Sequence, residues 1–544
     1  MSTIPTGPSA PADGPAACPE PDRVVPTWTD PVVAQASEAV GGPWGRHAPV
    51  GRASFWTPLR VCLLFTTTVL ALAWLKQAPC SDGDWTGSLQ YTHLCYSDPV
   101  PLFGVYGQGE GALPYLDARV EYPVLTGAAM ALAALFSGWY DGLAAAVGGL
   151  PAVPPVQSYT VVTALLMSVC AVGVTRAVLP LTGRRPWDTA MVALSPVLLV
   201  YAFNNWDLLA VALATLGMWA WARQRAVLAG ALLGLGVAAK LYPVLVLGAL
   251  FLLCLRAGAL RVWLRAAFAA AAAWLAVNLP VALLAPENWG WFFAFSRQRP
   301  ANPESIWNVL LTVTGNRVLD GPLADGQTPV VLNAVVAVLL LALAAWVAWL
   351  VLSAPVRPRV AQVAFLLVAG FLLLNKVYSP QYALWLLPLA VLARPRWRSL
   401  LVWQVSEALV WVLTMLYYLG TENRGVEVEW FFLAVLVRDA VLVALVVLVA
   451  REVRRPDDDV VRTSWPGVDD PAGGPLNGAP DVVTLGGRGP VLSPGGARGV
   501  PRGVTQQLGP PGDGTWPRCD AGRRSVTAPR GTPAGFRSGP AGAG

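Results

Sequence analysis

Apolar runs of about twenty residues recur along this chain from Phe55 to Ala450. Each is long enough to cross ~30 Å of hydrocarbon as an α-helix. Nothing else constrains the fold as strongly. In lipid, every backbone N–H and C=O must find a partner within the protein, so only helices and closed barrels span a membrane. The runs are continuous rather than alternating, which argues against a barrel. Charged residues make up 13% of the chain, about half the ~25% of a soluble domain. The expected fold is an all-α, polytopic transmembrane helical bundle of about 12–14 spans.

Candidate spans fall roughly at 56–75, 122–138, 157–182, 187–203, 206–222, 225–239, 241–256, 262–285, 329–352, 359–375, 381–393, 399–418 and 430–450. Arginine-rich loops such as Gly183–Pro186, Arg256–Arg265 and Arg394–Arg398 mark one face as cytoplasmic. The opposite loops are acidic or mixed and carry most of the extramembrane aromatics. Thirteen spans is an odd number, whereas the charge pattern puts both tails inside. The stretch 139–156 is the weak point, readable as an extra short crossing or a re-entrant piece.

Three regions follow: a tail at 1–54, a membrane domain at 55–450 with a first outer loop at 76–121, and a second tail at 451–544. Both tails are rich in Pro and Gly and are expected to be disordered and cytoplasmic. The first has no early apolar core and is not a signal peptide. The net charge of +6 is spread over membrane flanks and a loose tail, so nucleic acid is not an expected partner.

The first outer loop carries more chemistry than a connector needs. Between Cys80 and Tyr122 it has six carboxylates (Asp82, Asp84, Asp98, Glu110, Asp117 and Glu121) against one arginine, Arg119. It also contains Cys80 and Cys95, which share a compartment where a disulfide is permitted. Paired and free thiols are both open.

The chain has only three lysines, Lys76, Lys240 and Lys376, all at expected outer ends of helices. They could snorkel to the interface or sit beside an anionic lipid headgroup. Around Lys240 the sequence reads as a hairpin, with Lys240-Leu241-Tyr242-Pro243 at the tip and Pro243 starting the second helix. Ala229, Gly230, Gly234 and Gly236 would let the first helix pack closely on a neighbour.

The outer face thus collects acids (Asp84, Asp98, Asp117, Glu121, Asp207) and cations (Lys240, Lys376, Arg297, Arg299). A carboxylate there can act as general base toward a hydroxyl. Cations there can neutralise a phosphate. The aromatic cluster Trp289, Trp291, Phe292, Phe293 and Phe295 reads as an interfacial belt or as a groove for an isoprenoid chain. No intramembrane chain of acids or histidines is apparent, and no Walker loop, zinc-protease motif or nucleophile elbow occurs. No metal or other cofactor is implied.

Four short motifs, in order, resemble glycosyltransferase family 87. They are Asp98 through Pro114-Tyr115 to Glu121-Tyr122-Pro123; Asn205-Trp206-Asp207; Lys240-Leu241-Tyr242-Pro243; and Asn375-Lys376-Val377-Tyr378-Ser379-Pro380-Gln381. The resemblance covers about 55–450. It implies a GT-C-like catalytic domain that moves a hexose, with mannose expected, from a polyprenyl-phosphate donor to a lipid or glycan acceptor on the outer face of the cell membrane. The base it implies is Asp98. Asp84 is the second candidate, because Pro99 and Pro101 follow Asp98 where the family often has an aromatic or aliphatic run. Lys240, Lys376, Arg297 and Arg299 are then donor-phosphate ligands. Tyr115, Glu121, Asn205, Asp207, Tyr242, Tyr378 and Gln381 are substrate-binding candidates. A transporter or lipid flippase is the alternative, and a non-catalytic scaffold is the other.

Overall fold

The structure, a computed structural model, describes residues 56–324, 326–464 and 470–485. Among these residues it is helical without β-strands, as expected for the bundle. The N-terminal tail and the residues beyond 485 lie outside the described residues.

Among the described residues, six helices are long and apolar enough to cross a membrane. They are α1 (Pro58–Gln77), α3 (Pro155–Leu181), α7 (Leu260–Leu284), α10 (Val330–Ser353), α13 (Trp397–Leu419) and α14 (Val428–Arg454). Five apolar helices are shorter: α4 (Asp207–Ala222), α5 (Ala226–Ala239), α6 (Pro243–Arg256), α11 (Val360–Leu374) and α12 (Ala383–Ala393). Between α7 and α10, α8 (Pro286–Gln298) and α9 (Ile306–Val313) complete the connection.

Two expected spans are corrected. The span at 187–203 is not one helix but a broken pass, with helical pieces at Pro186–Thr189, Ala190–Ala193 and Pro196–Tyr201. Pro196 has no N–H to continue the ladder, and Ser195 caps the new start by accepting from Leu198 N. The span at 122–138 becomes α2 (Val124–Ala146), and both of its ends lie on one side of the bundle. Its start is tied to the end of α5, where Thr126 Oγ1 donates to Ala239 O at 2.7 Å. Its far part is tied to the start of α3, where Ser158 Oγ donates to Asp141 Oδ2 at 2.9 Å. That start in turn abuts the first loop, through Gln157 Nε2 to Ser81 Oγ at 3.4 Å.

The physical reason is composition. Gly138-Trp139-Tyr140-Asp141-Gly142 suits an interface better than hydrocarbon, and Trp139 is exposed. The ambiguous stretch 139–156 is the end of this helix and a turn. Removing α2 as a crossing leaves eleven apolar helices and the broken pass, an even number.

Close packing of the short helices follows from small side chains. Gly230 and Gly234 lie directly against the backbone of Ala266 and Ala270, and a Cβ at either would collide with a carbonyl. At 14 residues each, α5 and α6 are only ~21 Å long. They stop short of a full hydrocarbon thickness, and a cavity opens where α5, α6, α11 and α12 end.

The opposite face is closed by the chain after α14, contrary to the expectation of a disordered tail from 451. Residues 456–464 and 470–485 form a strap across the helix turns. Asp459, itself buried, takes Arg359 Nε at 2.7 Å and Nη2 at 3.1 Å. Gly473 O accepts from Trp221 Nε1 at 3.0 Å, and Arg256 Nη2 reaches Asp481 Oδ2 at 2.6 Å. Leu485 N donates to Leu352 O at 2.9 Å. The Pro and Gly richness that suggested disorder was misleading for this stretch, because the strap is held by polar groups and not by a core of its own.

Candidate active site

The first loop is held rigid before it presents anything. Cys80 and Cys95 form a disulfide, which settles the open question of the two thiols. Ser97 Oγ then donates to Phe203 O at 2.7 Å, and Asp98 N donates to Asn204 O at 2.8 Å. Lys76 Nζ anchors the same strand of chain, donating to Val200 O at 2.9 Å and Asn204 Oδ1 at 3.2 Å. Lys76 is thus a brace and not a headgroup ligand in this arrangement. Pro99 opens a short helix, Pro99–Val105, with Asp98 at its cap position.

Asp98 lies at the wall of a cavity of about 590 Å³. Tyr122 Oη donates to its Oδ2 at 2.9 Å, and Tyr96 lies beside it. Burial pushes the carboxyl up to about 6, with Glu121 adding to the rise while Tyr122, Lys240 and Tyr96 oppose it. It is a carboxylate with acceptor capacity left, close to neutral pH in its titration.

Lys240 also lines the cavity, but it has a partner. Its Nζ is 3.0 Å from Asp207 Oδ1, over the Tyr122 ring at 4.6 Å and the Tyr382 ring at 5.2 Å. Burial lowers its pKa, yet Asp207, with smaller help from Tyr382 and Asp98, more than offsets this and leaves it raised. Asp207 is fully buried and shaped by Asn205: Asn205 Nδ2 donates to its Oδ2 at 3.2 Å, and its own N–H donates to Asn205 Oδ1 at 2.9 Å. Asn205 and Asp207 stand behind the cavity wall.

Two other cations face the cavity differently. Lys376 Nζ donates to Arg297 O at 3.0 Å, and Arg299 Nη2 to Asn302 Oδ1 at 3.3 Å. Neither makes a salt bridge among the described residues. Burial and the neighbouring guanidinium of Arg299 bring Lys376 down to about 8. Arg297 contributes its backbone carbonyl and is not in the cavity lining.

Of the remaining expected residues, Glu121, Tyr242 and Gln381 line the cavity. Tyr242 and Tyr382 both stack on Trp385, at 4.6 and 3.9 Å between ring centroids. Tyr115 is behind it: its hydroxyl donates to Tyr122 O at 2.9 Å and Pro123 O at 2.8 Å, fixing the chain that carries Tyr122. Gly127 leaves room for the Tyr115 ring, since a Cβ there would clash with it. Tyr378 points away, donating to Glu407 Oε1 at 2.8 Å. Asp84 is exposed, accepts from Thr86 N at 3.1 Å and is not brought to the cavity. Phe292 and Phe295 from the aromatic cluster do line it.

Sequence reading missed Glu304. It lies in the cavity wall beside Asn302, which hydrogen-bonds to it, and burial raises it to about 7. A signal existed: Asn302-Pro303-Glu304-Ser305 follows Arg299 in the same outer loop, and Ser305 caps the next helix. Also missed was a buried charge cluster beside the cavity, with Glu407 and Asp439 inside expected spans. Arg438 pairs with Asp439 at 2.7 Å, lies 4.0 Å from Glu407 and 3.8 Å over the Tyr378 ring, and donates to Glu304 O. Glu407 sits singly in one apolar run and Arg438-Asp439 together in another, and neither run pointed to the other.

Among the described residues no group of three or more His, Cys, Asp or Glu gathers as for a metal. The cavity combines a poised carboxylate, aromatic platforms and unneutralised cations. Such a set can deprotonate a hydroxyl beside a bound anion. Residues 122–375 match the family described as "Glycosyltransferase family 87". No curated protein matches the chain.

Proposed function

We propose that this membrane glycosyltransferase, assigned to family 87 over residues 122–375, uses a polyprenyl-phosphate hexose, with mannose as the sugar. Asp98 takes the proton from an acceptor hydroxyl of a lipid or glycan, and that oxygen attacks the anomeric carbon. The bond to the phosphate breaks as the new bond forms, in a single displacement with inversion. The leaving phosphate departs as an anion and needs no acid, unlike the paired carboxyls of a glycosidase. The reaction takes place on the outer face of the cell membrane.

One observation carries this reading: Asp98 shares a cavity with Lys376 and Arg299, two cations without salt bridges among the described residues. They receive the phosphate. Lys240 is already neutralised by Asp207 and acts from between two carboxylates, keeping Asp98 ionised and touching the donor only at its edge. Glu121 and Glu304 are placed to accept from sugar hydroxyls, and Trp385 with its stacked tyrosines offers a flat apolar face to a sugar ring.

The test is reconstitution of the full chain in vesicles with polyprenyl-phosphate-mannose or a nucleotide sugar. Transfer from the lipid-linked donor alone, giving an inverted anomeric product, is expected. Transfer only from the nucleotide sugar would sink the donor assignment. Mass spectrometry of envelope glycolipids and glycoproteins with and without the gene identifies the acceptor.

A further inference from the structure

On the strap face, several arginines are matched to acids. Arg256 pairs with Asp481, Arg359 and Arg462 with Asp459, and Arg394 with Glu452. Three are not. Arg451, Arg454 and Arg455, at the end of α14, are exposed and form no ion pair among the described residues. They lie at one end of a groove of about 680 Å³ between α10 and α14, lined otherwise by Trp346, Trp349, Leu350, Val446, Val447 and Ala450. The Arg454 guanidinium lies 4.3 Å over the Trp349 ring, an arrangement that fixes the cation and leaves its N–H edge open. Trp346 and Trp349 are partly exposed at this level, as aromatics are at a headgroup boundary.

We infer that this groove is a binding site for an anionic phospholipid of the leaflet opposite the cavity, its phosphate on Arg451, Arg454 and Arg455 and its acyl chains against Trp346 and Trp349. The apolar floor calls for hydrocarbon and the mouth for an anion, and a phospholipid has both in one molecule. The chain's own terminus does not suit the mouth. Residues 486–544 carry eight arginines and two aspartates, so they are strongly basic. The site is separate from the catalytic cavity and shares none of its lining residues.

The test uses the full chain in nanodiscs of mixed phosphatidylglycerol and phosphatidylcholine, released and read by native mass spectrometry. Wild type should retain phosphatidylglycerol in preference to phosphatidylcholine. The combined variant Arg451→Gln, Arg454→Gln, Arg455→Gln should lose that retention about tenfold or more. Arg454→Gln alone, a mild exposed change, should show a partial loss, which protects the test against misfolding of the triple variant. Arg398→Gln, exposed on the same face away from the groove, should retain the lipid. Equal retention by wild type and both groove variants would overturn the site, as would no preference for the anionic lipid. Displacement of the lipid by excess inorganic phosphate would overturn the lipid assignment in favour of a free-anion site.

Discussion

The two faces of the bundle use charge in opposite ways. On the strap face, Arg359 and Asp459 are buried together and meet in two hydrogen bonds, with Gln362 and Arg462 around them. On the cavity face, Lys376 and Arg299 line an open volume with only neutral partners, opposite a carboxylate pushed up by burial. A cation satisfied by a carboxylate holds helices together. A cation left waiting beside a cavity is free to meet a ligand. Lys240 belongs between the two, since it lines the cavity yet is neutralised by Asp207.

This contrast can be broken by measuring activity and stability on the same variants. The largest effect is expected on catalysis at Asp98. Asp98→Asn should lower the transfer rate by about 10³-fold, within the range for loss of a general base, with the melting temperature little changed. Next comes Asp459→Ala, which strands Arg359 in a buried site. Breaking such a pair costs about 3–5 kcal/mol, so thermal unfolding should come much earlier while the KM for donor in the surviving protein stays the same. Normal stability in that variant would remove the structural reading of the strap.

Arg299→Gln and Lys376→Gln should do the reverse, raising the donor KM by roughly tenfold each through loss of a charge-assisted contact, with stability unchanged. The pH profile is a smaller test. Asp98 must be ionised to accept a proton, so the rate should climb with pH through about 6 and level off above it. A rate that falls over that range would contradict the base. Asp84→Asn should change the rate less than twofold, in line with an exposed loop residue.

Much of the bundle was legible because hydrophobic length and positive proline and glycine signals are local. The helix starting at Pro243 and the close approach at Gly230 and Gly234 were readable from neighbouring residues alone. The same holds for Asp98, Lys240, Lys376 and Arg299 as lining of one cavity, since they lie in loops of alternating passes. What escaped depends on contacts distant in sequence. Glu407 and the pair Arg438-Asp439 lie in separate apolar runs, and only packing shows them meeting beside the cavity. The strap looked like loose tail because its polar residues find partners about a hundred residues away, as Asp459 does at Arg359. Asp207 resembled a substrate ligand by position, whereas its carboxylate is occupied by Lys240. In α2, apolar length suggested a crossing, and the interfacial run from Gly138 to Gly142 turned it aside.

The central claim is that Asp98 is the base for transfer from a lipid-phosphate sugar. Single-turnover transfer from polyprenyl-phosphate-mannose in vesicles, by wild type and Asp98→Asn at matched protein amounts and matched melting temperatures, tests it most directly. The account predicts product from wild type and a rate about 10³-fold lower from the variant, with donor still bound. Wild-type rates from Asp98→Asn would contradict it.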